Sequence, residues 1–301
     1  MTSLSRLRQA MNHENGRPPV LPPDALRASL GQYGVSAAEQ LLSSSGVSEE
    51  RHVGGSGLDA ITNPEIKARF EQDYATYRRI FEGGDITLPT PEELASGGID
   101  WVRLAELKET RPDHDLVVAP LTLPLAELRQ MVSSVTNDRG NIRNNPLKSY
   151  SLSKEDSDGL WVNSTVVDHW DGIMAATAQE WQLPVALVTK FADSPVSWTA
   201  FLLSSSQNPE HRGTSFQDMQ QQNIPTTSIV GYITYQMKRI AEGLPPVDSN
   251  TWTWAQGEFR DMDGAACAPF VIWIPARGQV DVHWGRVGIS LGIRGVRSPV
   301  G

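Results

Sequence analysis

Apolar positions at helical spacing first become clear after residue 63. Ile66, Phe70, Tyr74, Tyr77 and Phe81 recur every three or four residues, which predicts a helix with one buried face. Asn63 suits the N-cap, Pro64 suits the first turn, and Gly83-Gly84 marks the stop. Pro89 to Leu107 reads as two short helices around Gly97-Gly98, and Leu116 to Ala119 as a strand followed by a helix from about Pro124. The polar run TNDRGNIRNN (Thr136 to Asn145) reads as a loop. From Leu160 the signals mix: WVNSTVVDHW as a strand, GIMAATAQEW as a short helix, PVALVTKF as a buried strand, and VSWTAFLLSSS as strand or helix. That alternation favours a mixed α and β domain.

SFQDMQQQNIPTTS resembles a surface connection. Thr227 or Ser228 then caps a helix with apolar positions Ile229, Ile233, Met237 and Ile240, and Gly243 with Pro245-Pro246 ends it. Beyond it Trp252 and Trp254 alternate with Thr251 and Thr253, as in a half-buried strand. Gly257 and RDMDG supply a turn, Ala265 to Ile274 is apolar and strand-like, and PARG leads into QVDVHW as a hairpin partner. In that partner Val280, Val282 and Trp284 point to one face, and Gln279, Asp281 and His283 to the other. Gly285, Gly288 and Gly292 interrupt the next loop. In the closing strand Ile293 points inward, while Arg294 and Arg297 are suited to carboxylates or backbone carbonyls.

The first 57 residues carry less pattern. A short amphipathic piece (Leu4, Leu7, Met11) precedes the proline-rich RPPVLPPDA, a helix is expected from Pro23 to Leu42, and SSSGVSEERHVGGSG reads as a flexible linker. The division expected is a weakly ordered segment over 1–57, a helical region over 58–114, and an α+β domain over 115–301.

Composition narrows the function classes. The chain has 301 residues, with 39% hydrophobic and 20% charged positions, as in an ordinary globular protein. A formal net charge of −9 argues against a nucleic-acid partner. No run approaches the roughly 20 apolar residues of a membrane span, and no signal-peptide core is visible. A soluble, cytoplasmic protein is therefore expected, with a phage particle or signal-independent export as the alternatives. The single cysteine, Cys267, excludes an intramolecular disulfide and a cysteine-based zinc cage. Its apolar setting, AACAP, suits a buried thiol.

Catalytic signatures are missing. The six histidines (His13, His52, His114, His169, His211, His283) show no HxH or HxxxH spacing, and there is no GxxxxGK or GxGxxG; the one GxSxG string, Gly288 to Gly292, falls in the glycine-interrupted loop rather than between a strand and a helix. DHWD is the densest cluster. Its Asp168-His169 pair has the composition of an oriented general base, or equally of an ordinary surface turn. No catalytic residue, metal or cofactor is assigned, and the expectation is a protein that is not an enzyme.

A capped helix ending in a proline pair, then TWTW, then a glycine-rich β module closing on LGIRGVRSPV resembles the C-type-lectin-like fold. The branch it is most similar to is the variable proteins of diversity-generating retroelements. More distantly it resembles the formylglycine-generating-enzyme-like superfamily, which shares the Gly-Ile/Phe-Arg ending. The resemblance covers about 226–301. It implies a C-terminal module of short antiparallel strands packed with helices, preceded by a mixed helical and β region. Trp252, Trp254, Gly292, Ile293 and Arg294 would match a constant scaffold. Phe270, Ile272, Trp273 and Ile274, then Asp281, His283, Gly285 and Arg286, would match a substitution-tolerant ligand surface.

Two departures stand beside this. Variable positions of that kind are rich in Asn, Tyr, Ser and Asp, whereas Phe270 to Ile274 is apolar and also fits ordinary core. A formylglycine-type copper enzyme needs a cysteine pair, and only Cys267 is present. The function implied is a non-enzymatic ligand- or receptor-binding protein, diversified by a retroelement, with an unknown protein or surface ligand as partner and room for oligomerisation. A structural or adhesive phage component and an enzyme centred on Asp168-His169 are the alternatives.

Overall fold

A computed structural model describes residues 57–82, 86–137, 159–191 and 194–301, apart from the side chains of 187–191 and 194–195. The weakly ordered segment expected before residue 57, the Gly83-Gly84 stop and most of the Thr136–Asn145 loop lie outside the described residues.

A 3-10 turn, Gly57–Ala60, leads into helix α1 (Pro64–Phe81). The Asn63 side chain accepts hydrogen bonds from the backbone N–H groups of Glu65 and Ile66, satisfying donors that have no partner within the helix. Phe70, Tyr74, Tyr77 and Phe81 are buried, as their spacing predicts, and Ile66 packs at the edge of the core. Helices α2 (Pro91–Ser96) and α3 (Trp101–Thr110) follow, the first closed by a Thr90–Glu93 capping box and the second capped by Asp100.

Next come β1 (His114–Pro120), α4 (Leu125–Asn137), β2 (Leu160–Val162), α5 (Ser164–Asp168), α6 (Trp170–Glu180), β3 (Ala186–Phe191) and β4 (Ser194–Ser204). The stretch WVNSTVVDHW, expected as one strand, leaves β2 after Val162. Asn163 accepts the Thr165 N–H and turns the chain into α5, so a capping residue overrides the β propensity around it. VSWTAFLLSSS resolves as strand. It is the centre of an antiparallel sheet with order β1-β4-β3, where apolar residues on both faces have partners.

The segment read as a surface connection contains helix α7 (Phe216–Gln221), capped by Ser215, with Phe216 and Met219 buried. Helix α8 (Ile229–Ala241) starts at the Ser228 cap, as expected. Its pattern suggests one buried face, yet every residue from Ile229 to Ile240 is buried. The polar side is taken up by groups distant in sequence. Lys238 Nζ lies 3.0 Å from Asp73 of α1 and 3.1 Å from Glu242. Arg239 and the Tyr235 hydroxyl both donate to the Asp115 carboxylate of β1. Burial pushes the Asp73 carboxyl up to about 6, against the pull of Lys238 and Arg69.

The terminal strands are β5 (Trp252–Trp254), β6 (Phe259–Arg260), β7 (Ala266–Ile274), β8 (Gln279–Arg286) and β9 (Arg294–Val296). They join β2 in a sheet of order β2-β8-β7-β5-β9, with β6 also paired to β7. The β7–β8 hairpin forms as expected. The module is not purely antiparallel, however, because β2–β8 and β5–β9 run parallel. β8 already runs in the direction of β5. The 287–293 loop then carries the chain back across the sheet, and β9 lands on the free edge of β5 in that same direction.

One large hydrophobic core joins Leu58, α1, α3, β1, β4 and α8 to Val271, Trp273, Val280 and Val282 of the terminal sheet. The 58–114 helices therefore share their core with the later elements, and Gly54–Gly301 is one compact unit. The fold is α+β. A smaller cluster of Phe216, Met219, Trp254, Ala268, Phe270 and Val296 covers part of the other face of the terminal sheet.

Candidate functional site

That second face carries the candidate site. Strand side chains alternate in direction, so cross-strand register decides which residues meet. Phe270 pairs with His283, and Ala268 with Gly285. Trp254 pairs with Phe270, Trp252 with Arg294, and Trp161 with Asp281. Trp161, His283, Phe270, Trp252, Trp254 and Arg294 thus form a stripe across β2, β8, β7, β5 and β9, on the face away from the main core.

Three of these rings lie nearly parallel. The Trp252 and Phe270 centroids are 4.5 Å apart at 11°, Phe270 and His283 are 5.6 Å apart at 13°, and Trp252 and His283 are 6.1 Å apart at 4°. Trp161 closes on the other side of His283, with centroids 4.7 Å apart at 44°. Trp254 meets Phe270 edge-to-face and Phe216 of α7 at a tilt. Phe270 and Trp254 are buried, whereas Trp161, Trp252 and His283 keep partial exposure. Phe270, on the middle strand, is sealed, and Trp252 and His283 on the strands beside it stay partly open.

Arg294 reaches over the sealed Phe270 ring. Its guanidinium carbon lies 4.3 Å from the Phe270 ring centroid, 4.9 Å from Trp254 and 5.1 Å from Trp252. The residue is only 8% exposed. It makes no ion pair with any described carboxylate, and its Nε has no hydrogen-bond partner. Burial lowers its pKa from the ordinary arginine value. Gly285 makes room for it, since a Cβ there would stand 2.7 Å from Arg294 Nη1.

The expected site residues separate. Phe270, Ile272 and Trp273 are buried, and Trp273 points to the main core, away from the stripe. Ile274 is half-buried at the hairpin end. Asp281, expected on an exposed polar face, is buried: its carboxylate accepts from the Gln279 amide and lies 3.8 Å from His283 Nε2 and 4.0 Å from Arg277. The β7–β8 hairpin is covered on both faces at that level, which strand alternation alone does not reveal. Gly285 is buried, while Arg286 is exposed, with Asp261 and Asp263 at 3.9 and 3.8 Å.

Among the expected scaffold positions, Trp252, Trp254 and Arg294 share the stripe with Phe270 and His283. Gly292 and Ile293 do not. Ile293, expected to point inward, is 43% exposed because β9 begins one residue later, at Arg294. Trp161 escaped the sequence reading. Only the parallel pairing of β2 with β8 brings it to His283.

The other candidates have simpler surroundings. His169 Nδ1 is 2.8 Å from the Thr165 carbonyl oxygen, its ring lies 5.0 Å from Phe259, and Asp168 is exposed. Cys267 is buried beside Asp261, and burial pushes its thiol pKa up. Among the described residues no group of three or more His, Cys, Asp or Glu side chains is arranged to hold a metal ion, and no helix is long and apolar enough to cross a membrane.

Fold and site together define an α+β protein with a half-open aromatic stack on one face of its terminal sheet. Comparison with family models, curated proteins and solved structures finds no match to the chain.

Proposed function

We propose that this chain is a non-enzymatic ligand-binding protein whose terminal module is C-type-lectin-like, and that the aromatic stripe is its binding face. The observation that carries the reading is the parallel Trp252–Phe270–His283 stack, sealed at Phe270 and open at Trp252 and His283. Rigid ring faces held by packing offer large contact area at little entropic cost, and they suit a ligand that itself presents a ring. The hairpin and closing strand that build the stack are the stretch whose ending, LGIRGVRSPV, resembles the variable proteins of diversity-generating retroelements. In that reading substitution falls on the outward positions, His283 and Arg286, while Phe270 and Trp254 stay constant as buried supports.

Tryptophan emission reports on the site directly. Titration with methyl glycosides, aromatic alcohols and ring carboxylates should shift the emission with at least one ligand class, and Trp252→Ala should weaken that binding about tenfold or more. An unchanged affinity in Trp252→Ala would sink the reading, as would a flat response to every class. The retroelement part is tested in the genome. It requires a near-duplicate of the terminal coding bases that differs mainly at adenines and lies beside a reverse-transcriptase gene.

A further inference from the structure

An arginine 92% buried without a carboxylate partner is an unusual expense of folding, because desolvating a guanidinium is costly unless an anion or acceptor compensates it. Arg297, three residues along the chain, shows the ordinary solution: Asp248 and two carbonyl oxygens accept from its guanidinium. Arg294 has three ring faces against its guanidinium and no described carboxylate in ion-pair range, and its buried Nε is left without an acceptor. Beside it, the Trp254 Nε1 is also buried with no partner. Both orphaned groups are donors, so each lacks an acceptor. The guanidinium lies over the same Phe270 and Trp252 rings that form the stack, 4.3 and 5.1 Å from their centroids. Gly285 keeps the space open, since any side chain at that position would meet Arg294 Nη1.

We infer that Arg294 is the anion-reading group of the aromatic site, and that its ligand carries a carboxylate on a ring. The assignment rests on the proposed ring-binding function and adds the charge of the ligand to it. The planar fork of a guanidinium matches a carboxylate at two points, and a water-poor aromatic surround strengthens those hydrogen bonds. Sugar acids and aromatic acids share this chemistry.

Matched pairs test it by calorimetric titration of the full chain: glucuronate against methyl glucoside for the sugar source, and benzoate against benzyl alcohol for the aromatic one. In at least one pair the acid should bind roughly tenfold or more tighter than its neutral counterpart. The pair that shows the preference identifies the source. Arg294→Gln should bring the acid-to-neutral ratio close to one, and Arg294→Lys should recover only part of it. Gly285→Ala provides a second variant that leaves the arginine in place. Its Cβ displaces the far end of a flexible side chain, and it should reduce the same ratio. Equal binding of acid and neutral partner by the parent protein would overturn the anion assignment while leaving the ring-binding function standing. An undiminished ratio in Arg294→Gln would overturn it in the same way. Failure of every ligand to bind would overturn both.

Discussion

Asp248 and Arg297, 49 positions apart, meet as a two-point ion pair with no solvent exposure, Nε to Oδ2 and Nη2 to Oδ1 both at 2.8 Å. The Asp248 carboxylate also accepts from Tyr232 of α8 and from Thr251 and Thr253 around β5. Two further Arg297 N–H groups donate to the carbonyl oxygens of Ser204 and Ser206. One cluster therefore ties the end of β4, helix α8, strand β5 and the C-terminal strand together. With both charges fully buried, removing one partner leaves the other without its counterion.

Arg297→Gln and Asp248→Asn are each expected to destabilise the fold by about 3–5 kcal/mol. Replacing both should cost less than the sum of the two, because neither charge is then stranded. Urea denaturation of the two single variants and the double variant measures this, and strict additivity would contradict the coupling.

The Asp73 carboxyl gives a pH signature. Burial raises it from 3.8 in an ordinary aspartate to about 6 in the fold. As pH rises, the unfolded chain gives up this proton first, so the folded state binds more protons across that interval. Its contribution to stability is greatest below about pH 4, falls through pH 6 and is flat above. Comparison with Asp73→Asn should show a pH-dependent difference of roughly 3 kcal/mol across this window, present in the parent and missing in the variant. Equilibrium unfolding at pH 4, 5, 6 and 7 in both proteins gives the answer, and parallel curves would refute it.

Gly257 is held at φ 106° with Ile173 and Thr177 packed where a side chain would start. Its Cβ would lie 2.6 Å from Ile173 Cγ2 and 2.7 Å from the Ile173 carbonyl oxygen. Gly257→Ala should cost on the order of 2–4 kcal/mol, combining backbone strain with overpacking. Gly264→Ala, at φ 78° with open space around it, should cost only about 1 kcal/mol. Equal melting temperatures for the two variants would count against this packing account.

The two tryptophans of β5 should separate stability from binding. Trp254 is fully buried between Phe216, Phe270 and Arg294, and Trp254→Ala is expected to cost about 3–5 kcal/mol. Trp252 is partly exposed, so its alanine variant should cost clearly less while losing the ligand-dependent emission change. Thermal unfolding alongside fluorescence titration resolves the two effects.

Residue pattern alone determined much of the local structure. Helix α1 follows from its aromatic spacing and the Asn63 cap, α8 from the Ser228 cap and its apolar positions, and the β7–β8 hairpin from alternation around PARG. Caps, turns and side-chain period act over a few residues, and a single chain displays them openly. Which faces are covered is a different matter. The cationic side of α8 looks solvent-facing until Asp73 and Asp115 are folded against it, and Asp281 looks exposed until its hairpin is covered on both sides.

The candidate site follows the same division. Phe270, His283 and Gly285 stand out in the sequence, yet Trp252, Trp254 and Arg294 look like scaffold there and Trp161 like an unrelated strand. Only the sheet order β2-β8-β7-β5-β9 sets them on one face. The sequence by itself determined which short segments become helix or strand, because those preferences are local. The tertiary structure alone decided that Trp161, His283, Phe270, Trp252 and Arg294 meet, because strand pairing joins residues more than a hundred positions apart through register, which neither strand's own sequence specifies.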